Sequence, residues 1–573
     1  MEARQPTTPA PVRVGEPQPE KRLWLLCGLL LAAGVAALGV RTLGFDWLVF
    51  DDDINILFNP LLGGLGPHSL AAAFGDLEHM RRYLPLGYSL WDLQLELFGF
   101  SSTGFHLCSV FLAAGAAFVL FLCLRAFGRL LGLRGRTLEF SAFLAAGLWC
   151  FHPMRACSLA WISGQLYLGA SLLAFLALHQ LLRALGDGVS DSGRRLAWWL
   201  SGIAYLASLL VYPVYLALAP LGLLLAWWQL RRRCPGLAFR ETAVRAGGLS
   251  ACWLLGALLV GALNLYAAQH HQGGFGSLPG LESGSLAQRL LQSAAFLLAL
   301  LGRSLWYGPS SPYLGESLDA AVFGAHWLLG GLVLCVLLAP LFTRAGRASR
   351  LWLLPLALLI SVLPVCGLVD ASTDPSDRYS MLPHLVLSFA FLVILAGSLR
   401  RRKLLFLAAS LASVVFLALQ QRALLPWANT RSLQAALDQA SAQAGSGASR
   451  DRFFRLCFQR ASLSLFYSGE VEEAQARLAQ GLQRRPSDDS LLALQRVVDG
   501  LLHKDPRLGA SPARRCLHEL QHLQLAGQWE EQGNLRAAQW HRERAEQLRL
   551  QLTTELLLRR SSGNEAHGHP PAP

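Results

Sequence analysis

The feature that most limits this chain is a series of long segments almost without charge. Leu107–Leu124, Gly247–Leu265 and Leu385–Leu399 each run for four or more helical turns on nearly unbroken apolar residues. A helix rising 1.5 Å per residue needs about 20 such residues to cross a hydrocarbon core of roughly 30 Å. Helices satisfy their own backbone hydrogen bonds and so tolerate lipid. With 53% of residues hydrophobic, the chain is too apolar for an ordinary soluble protein. The expected fold class is all-α: a polytopic transmembrane helix bundle followed by a helical C-terminal domain.

A net charge of +13 invites a nucleic-acid reading, and its distribution excludes one. The cations gather in short loops: Lys21-Arg22; Arg125, Arg129, Arg134 and Arg136; Arg183, Arg194 and Arg195; Arg231-Arg232-Arg233 with Arg240 and Arg245; Arg344, Arg347 and Arg350; and Arg400 to Lys403. Alternate loops carry acids instead, among them Asp51 to Asp53, Asp76, Glu282, Asp319 and Asp370. This alternation is the positive-inside pattern, and it puts the N-terminus in the cytoplasm.

Residues 1–20 read as a disordered, Pro-rich cytoplasmic tail. The membrane part covers 21–422, with a first span at Leu23–Val40 and a long first outer loop over 42–103. A signal-peptide reading of the first span competes, but its polar leader is long and no small-residue cleavage site follows, so it is expected as a retained anchor. Further spans are expected near 104–124, 137–151, 161–182, 196–211, 213–230, 246–267, 322–342, 351–368, 380–398 and 404–420, eleven in all with the first. A crossing at 290–305 would break the charge alternation, so that stretch is expected to be re-entrant or interfacial.

After Gln420 the composition turns to Ala, Leu, Gln, Arg and Glu with helical periodicity. The stretch from Ala461 through Gly469 and Ala474 to Pro486 has the cadence of a tetratricopeptide repeat, and Trp529 through Gly533 to Ala538 is a looser copy. We therefore expect a repeat-like helical domain over 429–560 on the outer face, with an ordinary helical-hairpin bundle as the alternative, and a disordered tail over 561–573. Most cysteines lie in apolar spans, where they act as small hydrophobes. A Cys457–Cys516 disulfide is open to an oxidising compartment and not required by the spacing. Arg far outnumbers Lys and no N-x-S/T sequon occurs, which fits a bacterial inner-membrane protein with its C-terminal domain in the periplasm.

The acids just past the first span are the sharpest chemical signal. An Asp at the centre of a membrane helix costs about 2.5–3.5 kcal/mol, so Asp51, Asp52 and Asp53 belong at an interface. Crowded carboxylates can supply a general base; equally, they can be a helix N-cap with solvated neighbours. Arginines on the outer side are few: Arg81, Arg82, Arg155, Arg303 and Arg378. Any of them can pair with a phosphate, and any can snorkel or pair locally, as Arg378 could with Asp377. His152-Pro153 ends a span, as proline commonly does.

With these residues in place, the chain resembles the transmembrane, repeat-containing O-mannosyltransferases among the integral-membrane glycosyltransferases. The likeness runs in order over about 22–550. It rests on Phe50-Asp51-Asp52 with Asn59-Pro60, Tyr83-Leu84-Pro85-Leu86, Gly104-Phe105-His106-Leu107, and His152-Pro153 with Ala160-Trp161-Ile162. Tyr307-Gly308-Pro309, Asp377-Arg378-Tyr379-Ser380 and Trp427-Ala428-Asn429 complete it. The resemblance implies a polyprenyl-phosphate sugar donor, mannose in the best-known members, and an inverting transfer to a hydroxyl of an exported protein or glycan. Asp51 would be the base, Asp52 its partner in orienting the acceptor, and Arg378 a contact to the donor phosphate, with Arg81, Arg82, His152 and Arg155 as further donor-site candidates. No metal is required, although a divalent ion is compatible with the chemistry. The chain departs from the family at Leu84, Ser109, Cys157, Gln165 and Tyr167, which bears on the sugar, the acceptor or activity itself. A non-catalytic membrane scaffold that recruits partners through its repeat-like domain is the competing reading. A transporter should bury charges mid-span, whereas these acids collect at one face.

Overall fold

A computed structural model describes residues 20–48, 51–52, 55–56, 59, 61–62, 65–77, 82–99, 101–186, 188–270, 286–307, 320–342, 353–366, 376–397 and 402–429. Helix 471–484 and isolated positions between 432 and 546 are also described. Among these residues every regular element is helical. In chain order the helices are α1 (Glu20–Gly39), α2 (Pro67–Gly75), α3 (Pro85–Phe98), α4 (Ser102–Leu130), α5 (Gly135–Cys150), α6 (Ala156–Ala160), α7 (Gln165–Ala184) and α8 (Asp191–Val211). There follow α9 (Leu218–Arg233), α10 (Phe239–His270), α11 (Leu286–Leu305), α12 (Ala320–Leu338), α13 (Leu353–Val362), α14 (Met381–Gly397), α15 (Arg402–Ala423) and α16 (Val471–Arg484).

Among the described residues seven segments are long and apolar enough to cross a membrane: Arg22–Gly44, Ser102–Leu130, Ile162–Ala184, Pro213–Arg233, Phe239–Ala268, Asp377–Leu395 and Lys403–Ala423. All seven fall where spans were expected. The expected spans at 322–342 and 351–368 correspond to shorter apolar helices. Those at 137–151 and 196–211 are the helices α5 and α8. Sixteen residues make α5 only ~24 Å long, and α8 interleaves Trp, Tyr, Ser and Gly with its leucines.

Apolar side chains point outward as well as inward. On α1, Cys27, Leu31, Val35 and Leu38 are buried at helical spacing, while Leu25, Leu26, Leu29 and Leu30 are exposed. On α15, Leu404, Leu407, Leu411 and Val414 are each more than 60% exposed along one stripe. Water does not tolerate such stripes on a monomer, and lipid does. A multi-pass bundle accounts for both faces.

α4 lies at the centre, packed against α1, α5, α7 and α14. Ala113, Ala116 and Ala117 on α4 and Ala170, Ala174 and Ala177 on α7 are buried, and the Cys123 thiol donates to the Phe175 carbonyl across the two helices at 2.9 Å. Small residues let two backbones approach, which replaces the hydrophobic drive that lipid removes. The α11–α12 hairpin takes this furthest. A Cβ on Gly302 would collide with the His326 carbonyl, and one on Gly330 with that of Leu298. The 290–305 stretch is thus most of α11, and its last turn is held tightly against α12.

In the C-terminal region α16 is amphipathic and buries Leu478. Gly469 and Gly533, which carry the repeat expectation, lie outside the described residues, as do Cys457, Cys516, the tail 561–573 and residues 1–19.

Candidate functional site

The chain leaving α1 makes a short 3-10 turn, Val40–Gly44, and then an irregular loop. Asp52 organises that loop from inside. Its carboxylate is fully buried and accepts hydrogen bonds from the Leu48 amide (3.0 Å), the Ser163 amide (2.8 Å) and the Ser163 hydroxyl (2.6 Å). Hydrogen bonds to an ionised group are the stronger kind, worth about 1.5–3 kcal/mol each. They tie the loop after α1 to the turn between α6 and α7. A second tie, from the Asp46 amide to the Ala428 carbonyl (3.0 Å), reaches the end of the bundle. Trp161 and Trp427 stack beside it at 5.9 Å.

Held this way, Asp51 adopts φ 73°, the one positive φ at a non-glycine residue among those described. Asp tolerates this left-handed region better than most residues. Its carboxylate, half-exposed, carries no hydrogen bond or ion pair among the described residues and lines a small cleft. Across the cleft stand the guanidinium groups of Arg82 and Arg378, and the walls are Asn55, Leu84, Trp91, Trp161, Ser163, Leu166, Tyr167 and Tyr212. Neither arginine forms a salt bridge to Asp51. Both are held by rings instead. Arg82 lies over Tyr212 at 5.6 Å, and Arg378 lies over Trp161, Tyr379 and Tyr167 at 5.2, 5.4 and 5.9 Å. The Tyr167 hydroxyl donates to that of Tyr212 at 3.0 Å, locking the two rings together. A cation over an aromatic face gains about 0.5–2 kcal/mol and keeps its N–H groups free for an anion.

Arg378 faces the cleft because its neighbour is engaged elsewhere. The 3-10 turn Asp377–Ser380 sends consecutive side chains in different directions. Asp377 turns inward to Arg303 (2.8 Å) and to the Tyr307 hydroxyl (2.8 Å), so the local Asp377–Arg378 pair that the sequence allows is not formed. Arg303 is fully buried and stacks on Tyr307 at 4.7 Å.

His152 and Arg155 do not line the cleft. They belong to a buried polar cluster on the other side of the Asp377–Ser380 turn. Arg155 donates to the Ser380 hydroxyl, meets His384 Nδ1 at 3.3 Å and stacks on Trp149 at 4.9 Å. His152 packs edge-on to His384 at 4.5 Å, and its Nε2 lies 3.3 Å from the Ser304 carbonyl. Burial, reinforced by Arg155, pushes the His152 imidazole down to about 3, so it is neutral and offers no charge to a phosphate. Burial pushes Arg155 down to about 10, and it stays a cation at neutral pH. Burial likewise pushes the Cys157 thiol up to about 12, so no thiolate balances Arg155 or Arg378.

Of the residues singled out in the sequence, the cleft therefore unites Asp51, Arg82 and Arg378, with Asp52 beneath as an anchor. Arg81 and Asp53 lie outside the described residues. Tyr212 went unnoticed, because a Tyr-Pro at a helix junction carries no chemical signal by itself. Tyr167 entered only as a departure from a family pattern, yet it is a wall of the site. Among the described residues no group of three His, Cys, Asp or Glu side chains is placed to hold a metal ion. No family model, no curated protein and no solved structure matches this chain.

Proposed function

We propose that the protein is a membrane glycosyltransferase of the inverting kind, which moves a sugar from a polyprenyl-phosphate donor to a hydroxyl of an exported protein or glycan. One observation carries the reading: an unpaired carboxylate, Asp51, shares an aromatic-walled cleft with two unpaired guanidinium groups, Arg82 and Arg378. In the reaction the acceptor oxygen attacks the anomeric carbon and its proton passes to Asp51. The bond from that carbon to the phosphate oxygen breaks, and the polyprenyl phosphate leaves with its charge against Arg82 and Arg378. Tyr167, Tyr212 and Trp161 carry the two guanidinium groups on their faces and so hold those cations at the cleft. A phosphate is a fair leaving group, so the chemistry runs with or without a divalent ion.

The arginine alternation supports a cleft on the outer face of a bacterial inner membrane, with residues 429–560 on the same periplasmic side as a repeat-like domain that receives protein acceptors. A reporter fused at Ser446 should then read out as periplasmic.

The test is transfer of labelled mannose from polyprenyl-phosphate mannose, and from other lipid-linked sugars, to a Ser/Thr peptide by the purified full chain. Asp51→Asn keeps shape and hydrogen bonding but cannot take the proton, and general-base loss typically costs 10²–10⁴-fold in turnover. Wild-type turnover in that variant removes Asp51 from the mechanism. A wild-type chain inert with every lipid-linked sugar leaves the scaffold reading, in which the C-terminal domain recruits a protein partner.

A further inference from the structure

Along α7, Leu178 stands eleven residues beyond Tyr167, ~16 Å from the cleft. Here the bundle opens a second, quite different space. It is an open groove of ≈ 180 Å³ between α4, α7, α9, α13 and α14, lined by Phe127, Leu131, Leu221, Trp228, Ala357 and Phe389 among other apolar side chains. Its lining holds no charged residue. Lipid tails are as apolar as leucine, so no hydrophobic drive would close such a space between helices. A void without occupant forfeits dispersion contacts on every wall, and a chain that fits it regains them.

What would select one lipid over another is the rim. Arg232 lies over the ring of Trp228, a wall of the groove, at 5.5 Å, and donates to the Leu130 carbonyl, next to Leu131, another wall. Arg232 is exposed and has no carboxylate partner among the described residues. The nearby acid, Glu139, is taken by Arg125 at 2.8 Å. The groove thus ends at an unneutralised guanidinium group beside an indole, the pairing of an acyl-chain slot with a phosphate contact.

We propose that this groove is a binding site for an anionic glycerophospholipid, with an acyl chain between α9, α13 and α14 and the headgroup phosphate on Arg232. It requires only that the bundle lies in a membrane, and it stands or falls separately from the glycosyltransferase reading.

The full chain, purified in mild detergent and loaded with phosphatidylglycerol or phosphatidylcholine of equal chain length, is examined by native mass spectrometry. Phosphatidylglycerol should be retained and phosphatidylcholine lost. A cation near an anionic lipid contributes about 1 kcal/mol, so Arg232→Gln should lower retention about fivefold. Ala357→Trp fills the groove and should abolish retention while the protein stays monodisperse; Val393→Trp serves if that variant fails to fold. Equal retention of both lipids, or undiminished phosphatidylglycerol in the groove-filled variants, overturns the site. Displacement of phosphatidylglycerol by polyprenyl phosphate at lower concentration also overturns it, by making the groove a donor-tail site.

Discussion

Two arginine–carboxylate arrangements lie side by side in this bundle and are treated in opposite ways. Arg303 and Asp377 are almost fully buried and joined at 2.8 Å, with Tyr307 completing the carboxylate's hydrogen bonds. Arg82, Arg378 and Asp51 carry the same chemical groups but have no ionic bond to one another, and rings rather than carboxylates hold the two cations. A buried ion pair costs desolvation and adds little net stability, while a half-pair is strongly destabilising. The inner pair is therefore a constraint and the outer set a reserve of unsatisfied charge. They are neighbours in sequence at Asp377-Arg378, so one peptide bond separates a buried ion pair from a cation with no ionic partner among the described residues.

The sharpest way to break this comparison is to strand the buried carboxylate. Arg303→Met should lower stability by about 3–5 kcal/mol and loosen Arg378 with it, read as an early thermal transition in detergent. The double variant Arg303→Met with Asp377→Leu should recover most of the stability but not the orientation of Arg378. A single variant as stable as wild type would mean that the inner pair fastens nothing.

Asp52 tests the same contrast from the acidic side. Asp52→Asn puts an NH2 group where one of the two accepting oxygens stands, so at least one of the three hydrogen bonds is lost and the rest lose their charge, a cost of about 1.5–3 kcal/mol. The loss should appear as faster hydrogen exchange at Leu48 and Ser163. Asp51→Asn, with no such bonds to lose, should leave exchange there unchanged; equal effects in both variants would erase the distinction between anchor and reactive group. The smallest effect belongs to the rings. Tyr212→Phe keeps the face under Arg82 and loses only the hydroxyl bond to Tyr167, about 0.5–1.5 kcal/mol. Tyr212→Leu removes the face as well and should weaken binding of inorganic phosphate or a sugar phosphate more than Tyr212→Phe does, measured by titration.

How much of this could be read beforehand follows from what periodicity and charge encode. Apolar runs give helix type and approximate bounds, so all seven long crossings coincide with expected spans. The cost of charge in lipid puts Asp51 and Asp52 at an interface, and the cleft brings Asp51 together with Arg82 and Arg378. The division of labour between the two acids is not encoded locally. It depends on Ser163, 111 positions away, which supplies two donors to Asp52 and none to Asp51. His152 and Arg155 share the span-end placement of the other candidates, yet His384 and Ser380 draw them into a buried cluster instead. Cross-helix partners of this kind leave no period, spacing or composition to detect. The α5 and α8 spans were drawn with the same weight as the long ones, because an apolar average hides both a short length and a mixed face.

The ties on the loop after α1 have a consequence for biosynthesis. Asp51 and Arg82 emerge early, but the loop is fastened at Ser163 and again at Ala428, and the second cation of the cleft arrives only with Arg378. While the chain is threaded into the membrane from its N-terminus, the first half of the bundle holds the Ser163 ties but only one of the cleft's two cations. The cleft is completed late, when the segment around Arg378 docks and the Ala428 carbonyl receives the Asp46 amide. A chain halted before that point holds Asp51 and Arg82 without Arg378, so the cleft is a property of the nearly finished bundle.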